Sequence, residues 1–354
     1  MFSNLKNILS RYKKKDLLAV DMDENGIRFV KILQNDQNKL MLDQYENFPF
    51  SKGGLGDREL ESVKDFILSN NFQGMNAACN IEDVSLKIRR VEVPKMPDYD
   101  LVEAVKWEMR EIVDGPIEEY AIRHSHLEEY TTGETQRFSL VAYAIHNEAL
   151  ERKVQLVKSL GLNPIIVEPN AVALLAAFDF DRQWDKGEYH VIVSLGWLKS
   201  LFVVVGQGKL YFSRPLEKVS VQQCLVGLRD AANLPEEEFL NLKNMCTHKG
   251  QKIGDVFKDS SDLQTILGRY FHQFSLELQG SIDSFSVMFH VDKISSMTLT
   301  GCGAFLPEIV DYFKKNMGVN TQVWKMSLTT GKNFENFDPY FSIAFGLGLP
   351  QEYS

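Results

Sequence analysis

Acidic side chains are concentrated at one tight turn near the start of the chain. Asp21, Asp23 and Glu24 precede the dipeptide Asn25-Gly26, and β-rich runs lie on both sides. An Asn-Gly dipeptide between such runs predicts a β-hairpin, so the three carboxylates are expected near its tip. Three carboxylates on one turn either coordinate Mg²⁺ or remain solvated, and without a cation they repel a phosphate group.

No other group of residues points to catalysis or to a metal site. His124 and His126 have the spacing of two metal ligands on a strand, but no third ligand follows at a recognisable interval. Glu118-Glu119 and Glu128-Glu129 are paired acids without an apolar setting that would raise a pKa, so they are expected on the surface. The sequence therefore predicts no catalytic residue and no bound metal.

Two hairpin-led halves follow one another along the chain. The first contains the Asn25-Gly26 turn, and the second contains YHVIVSLGWLKSLFVVV, with Gly196 at the turn and Ser200 beyond it. Near the end, SMTLTGCGAFLPEIVDYF predicts a strand, a glycine loop with Gly301 and Gly303, and a helix. Between the two halves, EPNAVALLAAF (168–178) predicts a helix with Pro169 in its first turn. The periodicity alone predicts an α/β protein with two lobes.

The composition is that of an ordinary globular protein. The 354 residues suffice for two lobes, with 44% hydrophobic and 25% charged residues. The net charge of −9 argues against a nucleic-acid-binding protein, which needs a concentrated basic face. Four cysteines without a CxxC pair, no apolar run of membrane-spanning length and no signal-peptide core predict a cytoplasmic location.

The segment from Val91 to Tyr120 differs from both halves. A strand pattern from Val84 to Val93 runs into Pro94-Lys95-Met96-Pro97, which leads into a charged amphipathic helix that contains Trp107. The prolines stiffen the entry to this helix, and a stiff loop lowers the entropy cost of holding an extended ligand. Trp107 is interpreted either as a core residue or as an aromatic anchor for a bound peptide.

Five motifs resemble the PilM family, the actin-like cytoplasmic proteins of type IV pilus machines: VPKMP, EAVKWEMREIV, PIEEY, GCGAFL and IAFGLGL. The resemblance covers nearly the whole chain. It implies a two-lobed actin-like (ribonuclease H-like) fold with an inserted subdomain of the 1C type. In the family, a groove beside this subdomain takes the short N-terminal tail of the membrane protein PilN, and the two lobes bind ATP.

The resemblance also divides the chain into parts. The expected parts are an amphipathic N-terminal segment (1–15), a first lobe 1A (16–83 and 146–187), the inserted subdomain (84–145), a second lobe (188–340, 2A with 2B around 216–290) and a C-terminal helix that returns to the first lobe (341–354). The first segment, which is basic, either lies on an anionic membrane surface or packs on the body.

The nucleotide loops depart from the pattern of the family. The family's nucleotide positions fall on Asp21, Asn25, Gly196, Ser200, Gly301 and Gly303. Asp23 and Glu24 replace small residues of the first loop, Ser194 replaces an acid in the second, and Trp197 replaces a small residue there. One close pair of like charges costs up to about 4 kcal/mol at an effective dielectric near 20. We expect no cofactor and no ATPase activity, and ATP with Mg²⁺ on the acidic turn is the alternative.

The resemblance implies a cytoplasmic scaffold that a partner holds at the inner membrane. The residues expected to contact a PilN-like tail are Pro94, Lys95, Met96, Pro97 and Trp107. Pilus motor ATPases are further candidate partners, contact with the membrane surface is indirect, and no nucleic acid is expected. Two alternatives stay open, an ATP-binding actin-like switch and a GspL-like component of type II secretion. The missing membrane span counts against the second.

Overall fold

The computed structural model describes residues 17–34, 39–50, 54–180, 182–233, 235–247, 261–306, 308–325 and 339–349. The predicted N-terminal segment 1–15 lies outside the described residues, as does the end of the predicted C-terminal part. No helix within the described ranges is long and apolar enough to cross a membrane.

The first sheet has five strands in the order β3-β2-β1-β4-β8. They are β1 (Leu17–Asp23), β2 (Gly26–Gln34), β3 (Leu40–Pro49), β4 (Asn76–Ile81) and β8 (Asn163–Pro169). The first three strands form an antiparallel meander, and β4 and β8 run parallel to β1. Helices α1 (Asp57–Ser69) and α3 (Asn147–Ser159) bury Val63, Ile67 and Val157 in the core beside this sheet.

The second sheet repeats this topology with the strand order β11-β10-β9-β12-β13. Its strands are β9 (His190–Leu195), β10 (Ser200–Gly206), β11 (Lys209–Leu216), β12 (Ser296–Thr300) and β13 (Thr321–Val323). β9 and β10 are buried along their whole length, and their Val/Ile-rich sequences suit a strand covered on both faces. The two halves predicted from the hairpins therefore each contain a five-stranded sheet, and the two sheets have the same topology.

Helices cover the second sheet and connect it with the first. The helices α5 (Val221–Ala232), α6 (Glu236–Thr247), α7 (Ser261–Phe289) and α8 (Ile309–Met317) belong to the second half. Helix α4 (Asn170–Asp179) follows β8 and packs against α9 (Ser342–Gly348). A Cβ atom at Gly346 would lie 1.8 Å from the carbonyl oxygen of Ala173, so only glycine permits this close crossing. Through α9, the end of the chain joins the core of the first sheet.

A separate three-stranded sheet lies between β4 and β8 in the chain. We call residues 87–146 the insert; it contains β5 (Lys87–Pro94), α2 (Asp98–Met109), β6 (Tyr120–Thr132) and β7 (Thr135–His146). The strand order is β5-β7-β6, and both pairings are antiparallel. Helix α2 buries Leu101, Val105 and Met109 on one face of this sheet, which is the i, i+4, i+8 row of an amphipathic helix.

The opposite face of the insert packs against the second half of the molecule. Leu127 and Val141 belong to the large core cluster of that half. Arg90 donates a hydrogen bond of 3.0 Å from Nη1 to the carbonyl oxygen of Met288, and its guanidinium lies 4.6 Å from the ring centre of Phe289. One face of the insert's sheet therefore packs against the second half of the molecule, and helix α2 covers the opposite face.

Two local predictions differ from the structure in detail. Pro169 is the last residue of β8 and precedes α4, whereas the sequence placed it in the first turn of the helix. The strand predicted from Val84 begins at Lys87. In both cases the element type is as predicted and the boundary moves by one to three residues.

Candidate functional site: the cleft between the sheets and the outer face of the insert

The first hairpin closes at Glu24-Asn25, because Asp23 pairs with Gly26 across the two strands. The Oδ1 atom of Asp23 accepts hydrogen bonds from the backbone N–H groups of Asn25 (2.8 Å) and Gly26 (3.0 Å). Neither Asn25 nor Gly26 has a positive φ, so the turn is held by the aspartate side chain and not by the left-handed geometry of an Asn-Gly turn. The predicted hairpin is present, and the carboxylate of Asp23 stabilises its turn.

Arg28 lies under this hairpin and is only 1% exposed. Its Nε atom donates to Oδ2 of Asp21 at 2.6 Å, and its Nη2 atom lies 2.9 Å from Oδ2 of Asp23. Burial raises the pKa of the Asp21 carboxyl, and the charge of Arg28 opposes this rise. The carboxylates expected to face a ligand are thus turned towards an internal guanidinium.

We call the space between the first hairpin, the second hairpin and the glycine loop the cleft. Tyr340 lies at its base, between the first hairpin and the glycine loop. Its hydroxyl accepts a hydrogen bond from Nη1 of Arg28 and a longer one, 3.4 Å, from Nδ2 of Asn25. The Arg28 guanidinium lies 4.3 Å from the centre of the Tyr340 ring. Burial raises the pKa of Tyr340 well above its ordinary value, so the hydroxyl stays neutral. A side chain from the C-terminal part of the chain therefore fills the bottom of the cleft.

A second charged contact spans the mouth of the cleft. Nζ of Lys199, on the second hairpin, lies 3.4 Å from Oε1 of Glu24 on the first. Glu82, at the end of β4, lies beside them, and burial raises its pKa to about 7, with Lys199 opposing the rise and Glu24 and Asp83 adding to it. Glu82 and Lys199 both line a cavity of about 550 Å³ between the start of the insert and the second hairpin.

The second hairpin turns over residues 196–199, and its carbonyl groups face the start of α5. The carbonyl oxygens of Gly196 and Trp197 accept from the N–H groups of Val221 (3.0 Å) and Gln222 (2.9 Å). The Ser220 side chain accepts from the next free N–H of the helix. Free N–H groups at a helix N-terminus are an anion site, and here protein atoms already occupy them.

Trp197 and the glycine loop also pack against other parts of the protein. The Trp197 ring is buried in the core of the second half. Gly301 has a φ of +78°, and a Cβ atom there would lie 2.5 Å from the carbonyl oxygen of Leu195. At Gly303 a Cβ atom would meet the side chains of Leu195 and Val221 at 2.7 Å. These glycines permit close contact between protein segments.

Three unpaired oxygens at the family's nucleotide positions differ in what they could contact. Asp21 Oδ1, Asn25 Oδ1 and Ser200 Oγ are buried without a hydrogen-bond partner among the described residues. The first two are acceptors, which suit a cation and not a phosphate oxygen, whereas the Ser200 hydroxyl is able to donate. No three His, Cys, Asp or Glu side chains in the described ranges are placed to hold a metal. At the acidic turn, Asp21 and Asp23 contact Arg28 and Glu24 contacts Lys199, so each of the three carboxylates has a cation of the protein as its partner.

The outer face of α2 is exposed and partly apolar. Tyr99, Val102 and Trp107 are 76%, 41% and 67% exposed, so the interpretation of Trp107 as a core residue is wrong. The guanidinium of Arg110 lies 4.8 Å from the Trp107 ring centre. We call Tyr99, Val102, Trp107 and Arg110 the α2 surface. It lies opposite the buried row of the same helix, because residue 107 is two positions from both Val105 and Met109.

The structure does not bring the predicted partner-binding residues together in one groove. Pro94 and Lys95 are exposed at the end of β5, and Pro97 directly precedes α2. Met96 is half-buried and packs against the core of the insert. Pro97 and Trp107 are ten residues apart along a helix, which corresponds to about 15 Å. Trp107 therefore stands apart from the proline turn.

A second apolar area lies where the insert joins the first half. Ile81, Ile145 and Ala149 form a small buried cluster with half-buried Leu86, Ala121 and Leu150 around it. Val84 lies in the connection beside Leu86 and is 84% exposed. We call Val84 and Leu86 the junction surface. It lies where the first half connects to the insert, and the resemblance implies a peptide groove beside the insert.

Arg28, Tyr340 and Lys199 were not among the residues predicted from the sequence. For Arg28 a signal existed, because a two-residue turn at Glu24-Asn25 or at Asn25-Gly26 places residue 28 opposite Asp21 or Asp23, and opposite charges stabilise each other across strands. Tyr340 had no such signal, since it is 312 residues away from Arg28.

Comparisons with known proteins agree with this architecture. A solved structure described as a PilM-PilN type IV pilus biogenesis complex is similar with a TM-score of 0.76 and 18% identity, over 95% of this chain and 98% of the other. The ethanolamine utilization protein EutJ from Carboxydothermus hydrogenoformans gives a TM-score of 0.52 and 11% identity, over 94% and 88%. The chain thus has an actin-like fold, as the resemblance implied.

No curated protein matches the chain. The family model for the type IV pilus assembly protein PilM, in contrast, matches residues 19–351. This range includes both sheets, the insert and the two hairpins. The resemblance read from the sequence motifs is therefore confirmed, and the chain belongs to the PilM family.

Proposed function

We propose that this chain is a scaffold of a type IV pilus machine that binds the N-terminal tail of a PilN-like inner-membrane protein, with little or no nucleotide turnover. Family membership supports the pilus role and sets aside the type II secretion alternative. The similar PilM-PilN structure supports the kind of partner. By this proposal the chain is cytoplasmic and the partner holds it at the membrane.

The observation that carries the proposal is the exposure of Trp107 on an otherwise acidic helix. Residues 98–114 contain six acidic and two basic side chains around Tyr99, Val102 and Trp107. Cytoplasmic tails of membrane proteins carry an excess of Lys and Arg. An apolar and basic tail thus complements this surface in both respects, and an exposed aromatic side chain is the usual centre of such contacts.

The binding test uses the full chain and a fluorescent peptide with the sequence of the tail of the PilN-like protein from the same cell. Trp107→Ala is expected to weaken binding at least tenfold by anisotropy, because aromatic hot spots contribute about 2 kcal/mol or more. Leu276→Ala is the matched control, since Leu276 is an equally exposed apolar residue on α7. This control is expected to bind as tightly as the parent.

A Val84→Asp variant distinguishes the two apolar areas beside the insert. Weakening by this variant with normal binding by Trp107→Ala would move the tail to the junction surface and overturn the role of α2. Normal binding by both variants would overturn capture by the insert. Met96→Asp is a poor probe, because Met96 packs in the core of the insert and a carboxylate there would disturb the fold.

The second half of the proposal concerns the cleft. Internal pairing of Arg28 with Asp21, Asp23 and Tyr340 supports a cleft that has lost its nucleotide role. Isothermal titration with Mg-ATP is expected to give no binding in the micromolar range. Micromolar binding would favour the alternative, an ATP-dependent switch built on the same lobes, and would leave the peptide proposal to be judged by its own test.

A further inference from the structure

A cavity of about 690 Å³ lies apart from the cleft, where α4 and α9 meet the edge of the second sheet. Its described lining comes from α4, β12, α8, β13 and α9 and includes no residue of the two hairpins or the glycine loop. This volume is in the range of small-molecule sites in proteins. The cavity is therefore large enough for a ligand and is independent of the nucleotide positions.

Aromatic rings form one wall of this cavity. Phe180 and Trp324 each lie against Phe345, with ring centres 5.7 Å and 5.6 Å apart, and Phe178 completes the wall. Trp324 and Phe345 belong to the same core cluster as Ala19 of the first sheet. A planar ring in the cavity could stack on this wall.

The remaining polar lining is positively charged. Arg182, Lys314 and Lys325 line the cavity, and its described lining contains no acidic side chain. Arg182 is partly neutralised by Asp179 and Glu188 nearby. Lys314 and Lys325 form no ion pair with a described acidic residue. Two unneutralised lysines beside an aromatic wall favour a ligand that carries negative charge.

A buried hydroxyl supplies an independent indication of a ligand. Thr298 on β12 is 1% exposed and lines the cavity, and its Oγ1 atom has no hydrogen-bond partner among the described residues. Leaving such a group unpaired costs about 1–3 kcal/mol. A threonine hydroxyl is able to donate a hydrogen bond, which an anionic oxygen would accept.

We propose that this cavity binds a small aromatic anion, a planar ring that carries a carboxylate, sulfonate or phosphate group. The ring packs on the wall formed by Phe180, Trp324 and Phe345, and the anionic group lies near Lys314, Lys325 and the Thr298 hydroxyl. Because Trp324 and Phe345 pack with the first sheet while Thr298 belongs to the second, the ligand contacts both halves of the molecule.

Two dyes with nearly the same rings test the charge requirement on the full chain. The probe is 8-anilinonaphthalene-1-sulfonate, and its neutral counterpart is N-phenyl-1-naphthylamine, which lacks the sulfonate. The double variant Lys314→Gln, Lys325→Gln is expected to weaken the sulfonate dye about tenfold and to change the neutral dye less than twofold. Lys315→Gln, on the same helix but outside the lining, is the control.

Two further variants place the dye in the cavity. Thr298→Val keeps the shape and removes the hydroxyl, so it is expected to weaken the sulfonate dye about threefold and to leave the neutral dye unchanged. Val323→Trp fills the cavity and should weaken both dyes. An absence of binding, unchanged binding by Val323→Trp, or equal effects of the lysine changes on both dyes would overturn the proposal.

Discussion

Arg28 and Arg110 each lie over an aromatic ring, but in opposite surroundings. Arg28 lies over Tyr340 in the cleft at 4.3 Å and is buried, with two carboxylates bonded to it. Arg110 lies over Trp107 on α2 at 4.8 Å, and half of its side chain is exposed, with one distant carboxylate. The same kind of contact, an arginine over an aromatic ring, is thus buried in the cleft and exposed to solvent on α2.

The difference lies in the desolvation of the charges. In the cleft, each buried charge depends on its neighbour, because a buried guanidinium or carboxylate that loses its partner is strongly destabilised. On α2, water solvates the charge of Arg110, and the ring of Trp107 can exchange water for the apolar surface of a partner. Asp21 and Asn25, two of the family's nucleotide positions, therefore belong to a buried polar network, whereas Trp107 is open to solvent.

The largest expected effect is a difference in the free energy of unfolding between variants of Arg28 and of Arg110. Arg28→Met removes the cation between Asp21 and Asp23 and is expected to lower the free energy of unfolding by about 3–5 kcal/mol, because a buried carboxylate loses its partner. Arg110→Met, the matched control on α2, is expected to change it by less than about 0.5 kcal/mol. Urea unfolding of the full chain measures both.

Similar stabilities for the two variants would contradict the comparison. In particular, a mild effect of Arg28→Met would mean that water reaches Asp21 and Asp23. The cleft would then be open enough to reconsider a ligand there.

A smaller effect on the free energy of unfolding is expected from the titration of Glu82, which lies at the mouth of the cleft. Its raised folded-state pKa, about 7 against 4.5, means that the folded chain retains a proton which the unfolded chain releases. The resulting stabilisation is complete below pH 4.5 and is lost as the pH rises through about 7. Between pH 5 and 8 the native chain should lose about 2–3 kcal/mol relative to Glu82→Gln.

This difference is measured as the free energy of unfolding of both chains across the pH range. Asp83→Asn is a suitable neighbouring control, because the pKa of Asp83 is lowered, with burial opposed by hydrogen bonds from Ser85. Its pH dependence should have the opposite sign. Parallel curves for the native chain and Glu82→Gln would show that Glu82 is solvated in the folded state.

Much of the fold was predictable because its signals are local. The Asn25-Gly26 turn, the glycine at 196 and the strand–loop–helix pattern around Gly301 each predicted an element that the structure contains. A two-residue turn at Asn25-Gly26 would place Arg28 opposite Asp23, and the observed turn one residue earlier places it opposite Asp21. Either register predicts an ion pair between Arg28 and an aspartate of β1. The repetition of one topology in two sheets agrees with the repeated hairpins.

The site was harder to predict, because it depends on contacts between distant segments. Tyr340 reaches Arg28 and Asn25 from the far end of the chain, and no periodicity reports such a contact. Trp107 is different, since the row Leu101, Val105 and Met109 already marks the buried face of α2. That row predicts an exposed residue 107, although the residue type alone favours the core.

The smallest expected effect concerns the ion pair between Lys199 on the second hairpin and Glu24 on the first. Lys199 and Glu24 are both well exposed, so Lys199→Gln should change the free energy of unfolding by no more than about 1 kcal/mol at low salt. Because exposed charges are screened, the difference should shrink further at 1 M NaCl, where the Debye length is about 3 Å. Lys186→Gln, on an exposed loop, is the control. A large and salt-independent loss would show that Lys199 is desolvated like Arg28, and the cleft would then be closed by buried charge at its mouth as well as at its base.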